Sequence, residues 1–213
     1  MKWNIRTYSH DAELVTQRRK EIYMTAAKLF LKSGYQGTSM RKLAEAVGMS
    51  VAGLYHYIGN KVDIIHMIIE FTIAHEDKVI KEIRNAIESL NPTEALPEAI
   101  RLYFKSVDEI QDIHNFHNHV IAALSQDYRK ILYRGQERFV DLFMEIIEKG
   151  IERGEFALDD AELLAHNILM LGQTWANRRW FLRKRFTLNQ YIQLQTEFIL
   201  SPIKKETSAV EKT

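Results

Sequence analysis

In residues 38–61, TSMRKLAEAVGMSVAGLYHYIGNK, two short helical segments lie on either side of a glycine. Met40, Leu43, Ala44 and Val47 share one face at helical spacing, and Thr38 or Ser39 stands where an N-cap belongs. Gly48 follows, where a tight turn demands a left-handed backbone that a Cβ disfavours. Ser50 caps a second segment, Val51 to Tyr57, which ends in aromatic residues before Gly59 breaks it. A short helix, a glycine turn and a second short helix make the plan of a helix-turn-helix.

The residue types in the second segment suit a nucleic-acid groove. Val51, Ala52 and Gly53 are small, so the start of the segment can approach base edges closely. Tyr55, His56 and Tyr57 combine packing rings with polar tips that reach phosphates. Arg41 is the long donor able to bond a guanine edge bidentately. Lys61, with the amides at the start of the next helix, suits a backbone phosphate. Few strong base-reading side chains occur here, so part of the specificity is expected to rest on DNA shape.

This stretch resembles the amino-terminal domain of the TetR family of repressors. Thr38, Arg41, Leu43, Ala44, Gly48, Met49, Ser50, Ala52, Leu54, Tyr55 and Tyr57 match that family's pattern, and Ile58 stands where a Phe is usual. Ala26, Ala27, Phe30 and Gly34-Tyr35 match the family's first helix, and Gly59-Asn60-Lys61 the start of its fourth. The resemblance implies that Arg41 reads a base and that Val51, Ala52 and Gly53 face the major groove. Thr38, Tyr55, Tyr57 and Lys61 would hold phosphates, and His56 could do either. It implies a homodimer on double-stranded operator DNA, and a body that binds a small molecule.

Bulk properties agree with such a protein. A chain of 213 residues can bury a sizeable core, and 46% hydrophobic with 27% charged residues is an ordinary globular balance. The chain has no cysteine, which excludes disulfides and thiolate metal sites. No apolar run reaches the length of a membrane span, and MKWNIRTYSHD at the start lacks a signal peptide's apolar core, so a cytoplasmic protein is expected. The net charge of +1 is unevenly spread. Residues 18–66 hold eight Lys or Arg against three acids, a net +5, which leaves −4 for everything after them. A basic head on an acidic body is what a phosphate-binding module joined to a different domain requires.

Only three prolines interrupt the chain, and helical periodicity runs through most of it. The first helix is expected over residues 18–33, ended by Gly34, and the fourth from Asn60 to about Ile87. Asn91-Pro92 begins another, with Pro97 expected to delay or kink it. A long helix spans about 127–149, one capped by Asp159 runs to about Arg185, and the last covers Leu188 to Leu200. The expected fold is all-α: an arm (1–17), a helix-turn-helix domain (18–66), a larger helical ligand-binding and dimerisation domain (67–202) and a disordered tail (203–213).

In the body, Leu163, Leu164, Ile168, Leu171 and Trp175 form one apolar stripe, and Tyr191, Leu194, Phe198 and Ile199 another. Both lie where the TetR resemblance puts the dimer interface. In WANRRWFLRKR, residues 175–185, five cations are interleaved with Trp180 and Phe181 inside the acidic part of the chain. Either the cations complement the negative pole of a helix end, or Arg178, Arg179 and Arg183 take phosphates while Trp180 stacks on a flat base beside Trp175. A coenzyme A thioester presents both groups, and its acyl chain would pass near Phe104, Phe116, Leu124, Phe139 and Phe143. The segment also resembles TetR-type repressors of fatty-acid, steroid or aromatic-acid degradation, which sense acyl-CoA esters. His114, His117 and His119 are expected to be surface or hydrogen-bonded core residues, with a metal site the lesser reading. No nucleophile motif, phosphate-cradling glycine loop or paired carboxylates point to an enzyme, and no cofactor is expected. The competing readings are a repressor of an efflux operon that senses a lipophilic compound, and a helical partner-binding module.

Overall fold

The computed structural model describes residue 5, residues 11–120 and residues 125–204. Among them are ten helices and no strand, only an isolated antiparallel bridge between Phe156 and Lys204. The chain divides into two compact units: residues 1–76 with 110–132, and residues 77–109 with 133–213. The first takes in a segment around residues 110–132 that the sequence assigns to the body.

The first unit begins with α1 (Ala12–Ser33), six residues earlier than periodicity indicates. Asp11 is the reason: its carboxylate accepts from the Leu14 amide at 2.9 Å, so the cap lies upstream of the first apolar repeat. Ser39, rather than Thr38, caps α2 (Met40–Val47), and Ser50 caps α3 (Val51–Tyr55). Gly48 ends α2 in the left-handed conformation (φ 75°, ψ 32°), which turns the chain sharply into α3. α4 (Lys61–Ile87) contributes its first part here, with α6 (Gln111–Val120) and the start of α7 (Gln126–Glu152). Ile22, Phe30, Leu43, Leu54, Ile58, Ile64, Ile68, Ile113 and Phe116 are buried together, with the Phe30 and Phe116 rings 5.5 Å apart. Burying such side chains contributes roughly 1.5–3 kcal/mol each.

The second unit is built from the rest of α4, α5 (Pro92–Glu109), the body of α7, α8 (Ala161–Asn177), the single turn α9 (Arg179–Leu182) and α10 (Leu188–Leu200). Pro97 neither delays nor breaks α5. As the sixth residue of the helix it has no N–H for the Thr93 carbonyl, so one backbone bond is forfeited while the helix runs on. The start of α5 is also tied to the chain beyond α7, since the Thr93 amide and hydroxyl both donate to Glu155. Asp160 rather than Asp159 caps α8, and the helix expected to reach Arg185 breaks at Arg178, whose φ of −109° and ψ of 19° are not helical. At Gly172 α5 and α8 touch: a Cβ there would come within 2.5 Å of the Tyr103 ring. Tyr103, Phe104, Phe139, Phe143, Ile168, Trp175 and Tyr191 fill the core. Ile203, expected in the tail, is buried, and its carbonyl accepts from Ala157 at 2.8 Å. Residues 205–213 of that tail, and all of the expected arm before Asp11 except Ile5, lie outside the described residues.

Candidate DNA interface and effector segment

In the first unit one residue of α3 is fully buried. Leu54 is fully buried, whereas Ser50, Val51, Ala52, Tyr55 and His56 are exposed and Gly53 and Tyr57 are half-buried. Small side chains on an exposed short helix leave its backbone within reach of a flat edge in a groove about 12 Å wide. Arg41, the second residue of α2, is exposed as well. Arg19 on α1 holds the turn that follows α3 by donating to the Tyr57 carbonyl at 3.0 Å, and also donates to the Ile5 carbonyl at 2.8 Å. Sequence reasoning missed Arg19, because a bond across 38 residues to a backbone oxygen leaves no local trace.

Two expected phosphate contacts have other occupations. Thr38 is 1% exposed, and its hydroxyl donates to the Gly34 carbonyl at 2.9 Å. The Lys61 ammonium donates to the Tyr35 carbonyl at 2.6 Å and the Thr38 carbonyl at 3.1 Å, and sits 4.2 Å from the Tyr35 ring centre. Both residues brace the loop ahead of α2. The expected anion site at the start of α4 is also taken. Asn60 Oδ1 accepts from the Val62 and Asp63 amides, and Asp63 Oδ2 accepts from the Gly59 and Asn60 amides. Side-chain oxygens already meet the donors that a phosphate would need.

In the second unit the break at Arg178 presents the cation-rich segment as a short exposed turn. Trp180 is 62% exposed, with the Arg178 guanidinium 5.6 Å from its ring centre. Arg185 lies 4.1 Å from the Phe181 ring centre. Trp175 is buried against Tyr191, its Nε1 donating to Asp108 Oδ1 at 2.7 Å, and Arg183 reaches the same oxygen at 2.5 Å. Asp108, 67 residues from Trp175, was not foreseen in this role. Phe104, Phe139 and Phe143 are core residues of this unit, whereas Phe116 belongs to the core of the first unit. Leu124 lies outside the described residues.

The outer edges of α8 and α10 expose Leu163, Met170, Leu194 and Phe198, the last at 72%. Leu164, Met170, Leu171, Phe198, Ile199 and Pro202 line a groove of about 620 Å³ between these helices. The two expected apolar stripes are thus split: Ile168, Trp175, Tyr191 and Ile199 turn into the core. In the first unit, burial pushes the imidazole of His114 down to about 4 and that of His117 to about 3. His119 instead pairs with the Asn115 carbonyl, and no group of three His, Asp or Glu among the described residues is arranged to hold a metal ion. Nor is any helix among them long and apolar enough to cross a membrane.

Residues 22–68 match the model of the bacterial regulatory proteins, tetR family, and residues 89–184 that of the tetracyclin repressor-like C-terminal domain. The HTH-type transcriptional regulator HbdR of Aromatoleum sp. (strain CIB) is 26% identical over 200 residues, covering 93% of this chain and 86% of that protein. The HTH-type transcriptional repressor KstR2 of Mycobacterium tuberculosis (strain ATCC 25618 / H37Rv) is 26% identical over 205 residues, 90% of this chain and 96% of that protein. The solved structure of AibR in complex with isovaleryl coenzyme A and operator DNA has a TM-score of 0.68 at 25% identity, over 85% of this chain and 97% of AibR. With a helix-turn-helix head and a helical body matched in the same order, this chain belongs to the tetR family of bacterial regulatory proteins, which are DNA-binding transcriptional regulators and not enzymes.

Proposed function

We propose that this protein is a cytoplasmic, homodimeric repressor that leaves its operator when an acyl-CoA thioester binds to its second unit. The observation that carries the DNA reading is the exposure of a short, small-faced α3 beside Arg41, in a head of net charge +5. In this reading Val51, Ala52 and Gly53 enter the major groove, and Arg41 bonds a base edge. Ser50, Tyr55, His56 and Tyr57 face the flanking backbone, while Thr38 and Lys61 set the loop from which Arg41 projects. The second copy docks on the outer edges of α8 and α10, where Leu163, Met170, Leu194 and Phe198 would otherwise remain in water.

The effector reading is carried by the 175–185 segment. Arg178, Arg179 and Arg183 offer planar guanidinium groups to phosphates, and the exposed Trp180 offers a face to a purine. AibR, which shares the fold, was crystallised with isovaleryl coenzyme A and operator DNA, and this supports the same ligand class here. α4 belongs partly to each unit, its residues to 76 in the first and the rest in the second, so a ligand that favours one arrangement of α4 would bias the heads. The test is to select an operator from random duplexes and measure its Kd with and without acyl-CoA esters of increasing chain length. Affinity should fall by at least tenfold for one class of ester. An unchanged Kd across the series removes the effector reading, and failure to select any duplex removes the DNA reading.

A further inference from the structure

We infer that Asp108 is the protein's own occupant of the anion position at Arg183, and so sets how strongly charged an effector must be to bind. The inference rests on the phosphate-bearing effector proposed above and concerns which residue opposes it. Asp108 Oδ1 accepts two hydrogen bonds, from the Trp175 indole at 2.7 Å and from Arg183 at 2.5 Å. These partners differ in freedom. Trp175 is 2% exposed in the core, so a departing carboxylate would orphan a buried N–H. The Arg183 side chain is 43% exposed, on a long flexible stem at the end of α9. Asp108 is therefore the fixed member of the pair and Arg183 the movable one.

An ion pair this exposed is weak enough to exchange, since partly solvated pairs contribute little. A phosphate group can take the Arg183 guanidinium, because oxyanions of this shape accept from it bidentately. The fixed carboxylate then stands beside a second anion and repels it. A neutral or singly charged ligand gains too little from Arg183 to displace Asp108, whereas a polyphosphate can draw on Arg178 and Arg179 as well. Asp108 thereby ranks effectors by charge, although it need never touch one.

The variant that isolates this effect is Asp108→Asn, which keeps an oxygen for the Trp175 indole and removes only the charge. Asp108→Ser is a second uncharged form, should the amide disturb folding, and Asp108→Glu keeps the charge. Binding of free coenzyme A and of pantetheine to the full-length dimer is measured by calorimetry. The expected result is coenzyme A binding about tenfold tighter to the Asn or Ser variant than to the parent, the worth of one partly screened charge at close range. Pantetheine, which lacks phosphates, should show no such gain, and the Glu variant should behave as the parent does. Coenzyme A binding by the parent with no gain in either uncharged variant overturns the inference and leaves the effector reading intact. Binding that first appears in an uncharged variant upholds the inference. No binding of coenzyme A to any form overturns the inference, and the effector reading is then decided by the acyl-CoA series above.

Discussion

Lowering the pH from 7.5 to 5.5 should weaken the first unit through two histidines of α6. His114 and His117 lie one turn apart on α6, and burial holds their imidazoles down at about 4 and about 3, with His75 adding a like-charge effect on His114. His117 is 8% exposed, and its Nε2 has no hydrogen-bond partner among the described residues. Unfolding returns both groups to an ordinary value near 6.5, so the unfolded chain takes up protons that the folded chain refuses. Because the folded values are the depressed ones, stability is whole above about pH 6.5 and is lost as the pH falls toward 4. At pH 5.5 each histidine accounts for about 1.4 kcal/mol, and the pair for roughly 2–3 kcal/mol. Glu98 and Glu145, hydrogen-bonded by Arg101 and Arg84, are held below the usual carboxylate range and stay ionised over this interval. Urea unfolding followed by circular dichroism, at fixed protein concentration, measures the loss. His117→Leu should be at least as stable as the parent at pH 7.5, since it removes an unsatisfied nitrogen, and should lose about half as much on acidification. A parent whose stability is flat between the two pH values, or a variant that shows the whole loss, refutes the reasoning.

Arg41→Ala should cost roughly 1–3 kcal/mol on the selected operator and little on random DNA; equal losses in a fluorescence anisotropy titration would exclude a base-reading role. Lys61→Met should lower the thermal midpoint by an amount corresponding to roughly 1–3 kcal/mol, as two backbone carbonyls lose their donor; an unchanged midpoint with weakened DNA binding would mean the ammonium serves phosphates instead. Gly172→Val should destabilise the second unit by roughly 3 kcal/mol, measured by denaturant unfolding, because its Cβ would press on the Tyr103 and Phe104 rings. Phe198→Glu should shift sedimentation velocity toward monomer and weaken operator binding, and an intact dimer would point to another interface.

The head could be read along the chain because its instructions are local. Ser50 caps three residues ahead, Gly48 needs one backbone conformation, and Met40, Leu43 and Leu54 recur at fixed intervals. Where several carboxylates or prolines compete within a few residues, the pattern is ambiguous. Asp11 and Asp160 set the starts of α1 and α8 by hydrogen bonds to Leu14 and Leu163 that spacing alone does not reveal, and α5 runs on through Pro97 although that residue has no N–H to give. The candidate site divides in the same way. Exposure of Val51, Ala52 and Arg41 follows from which face of each helix is polar. The engagement of Lys61 with Tyr35 and Thr38, and of Asp108 with Trp175 and Arg183, joins residues 23 to 75 positions apart. Such pairings depend on the packed core and have no signature in periodicity.

The single buried anchor of α3 has an evolutionary consequence. Because Leu54 is the one fully buried side chain of that helix, changes at Val51 or Ala52 fall on its exposed face and leave the hydrophobic interior intact. If α3 reads the operator as proposed, target preference can drift, or be re-engineered by saturation at those positions, with little loss of foldedness along the way. A regulator built like this can acquire new genes to govern faster than it can acquire a new shape.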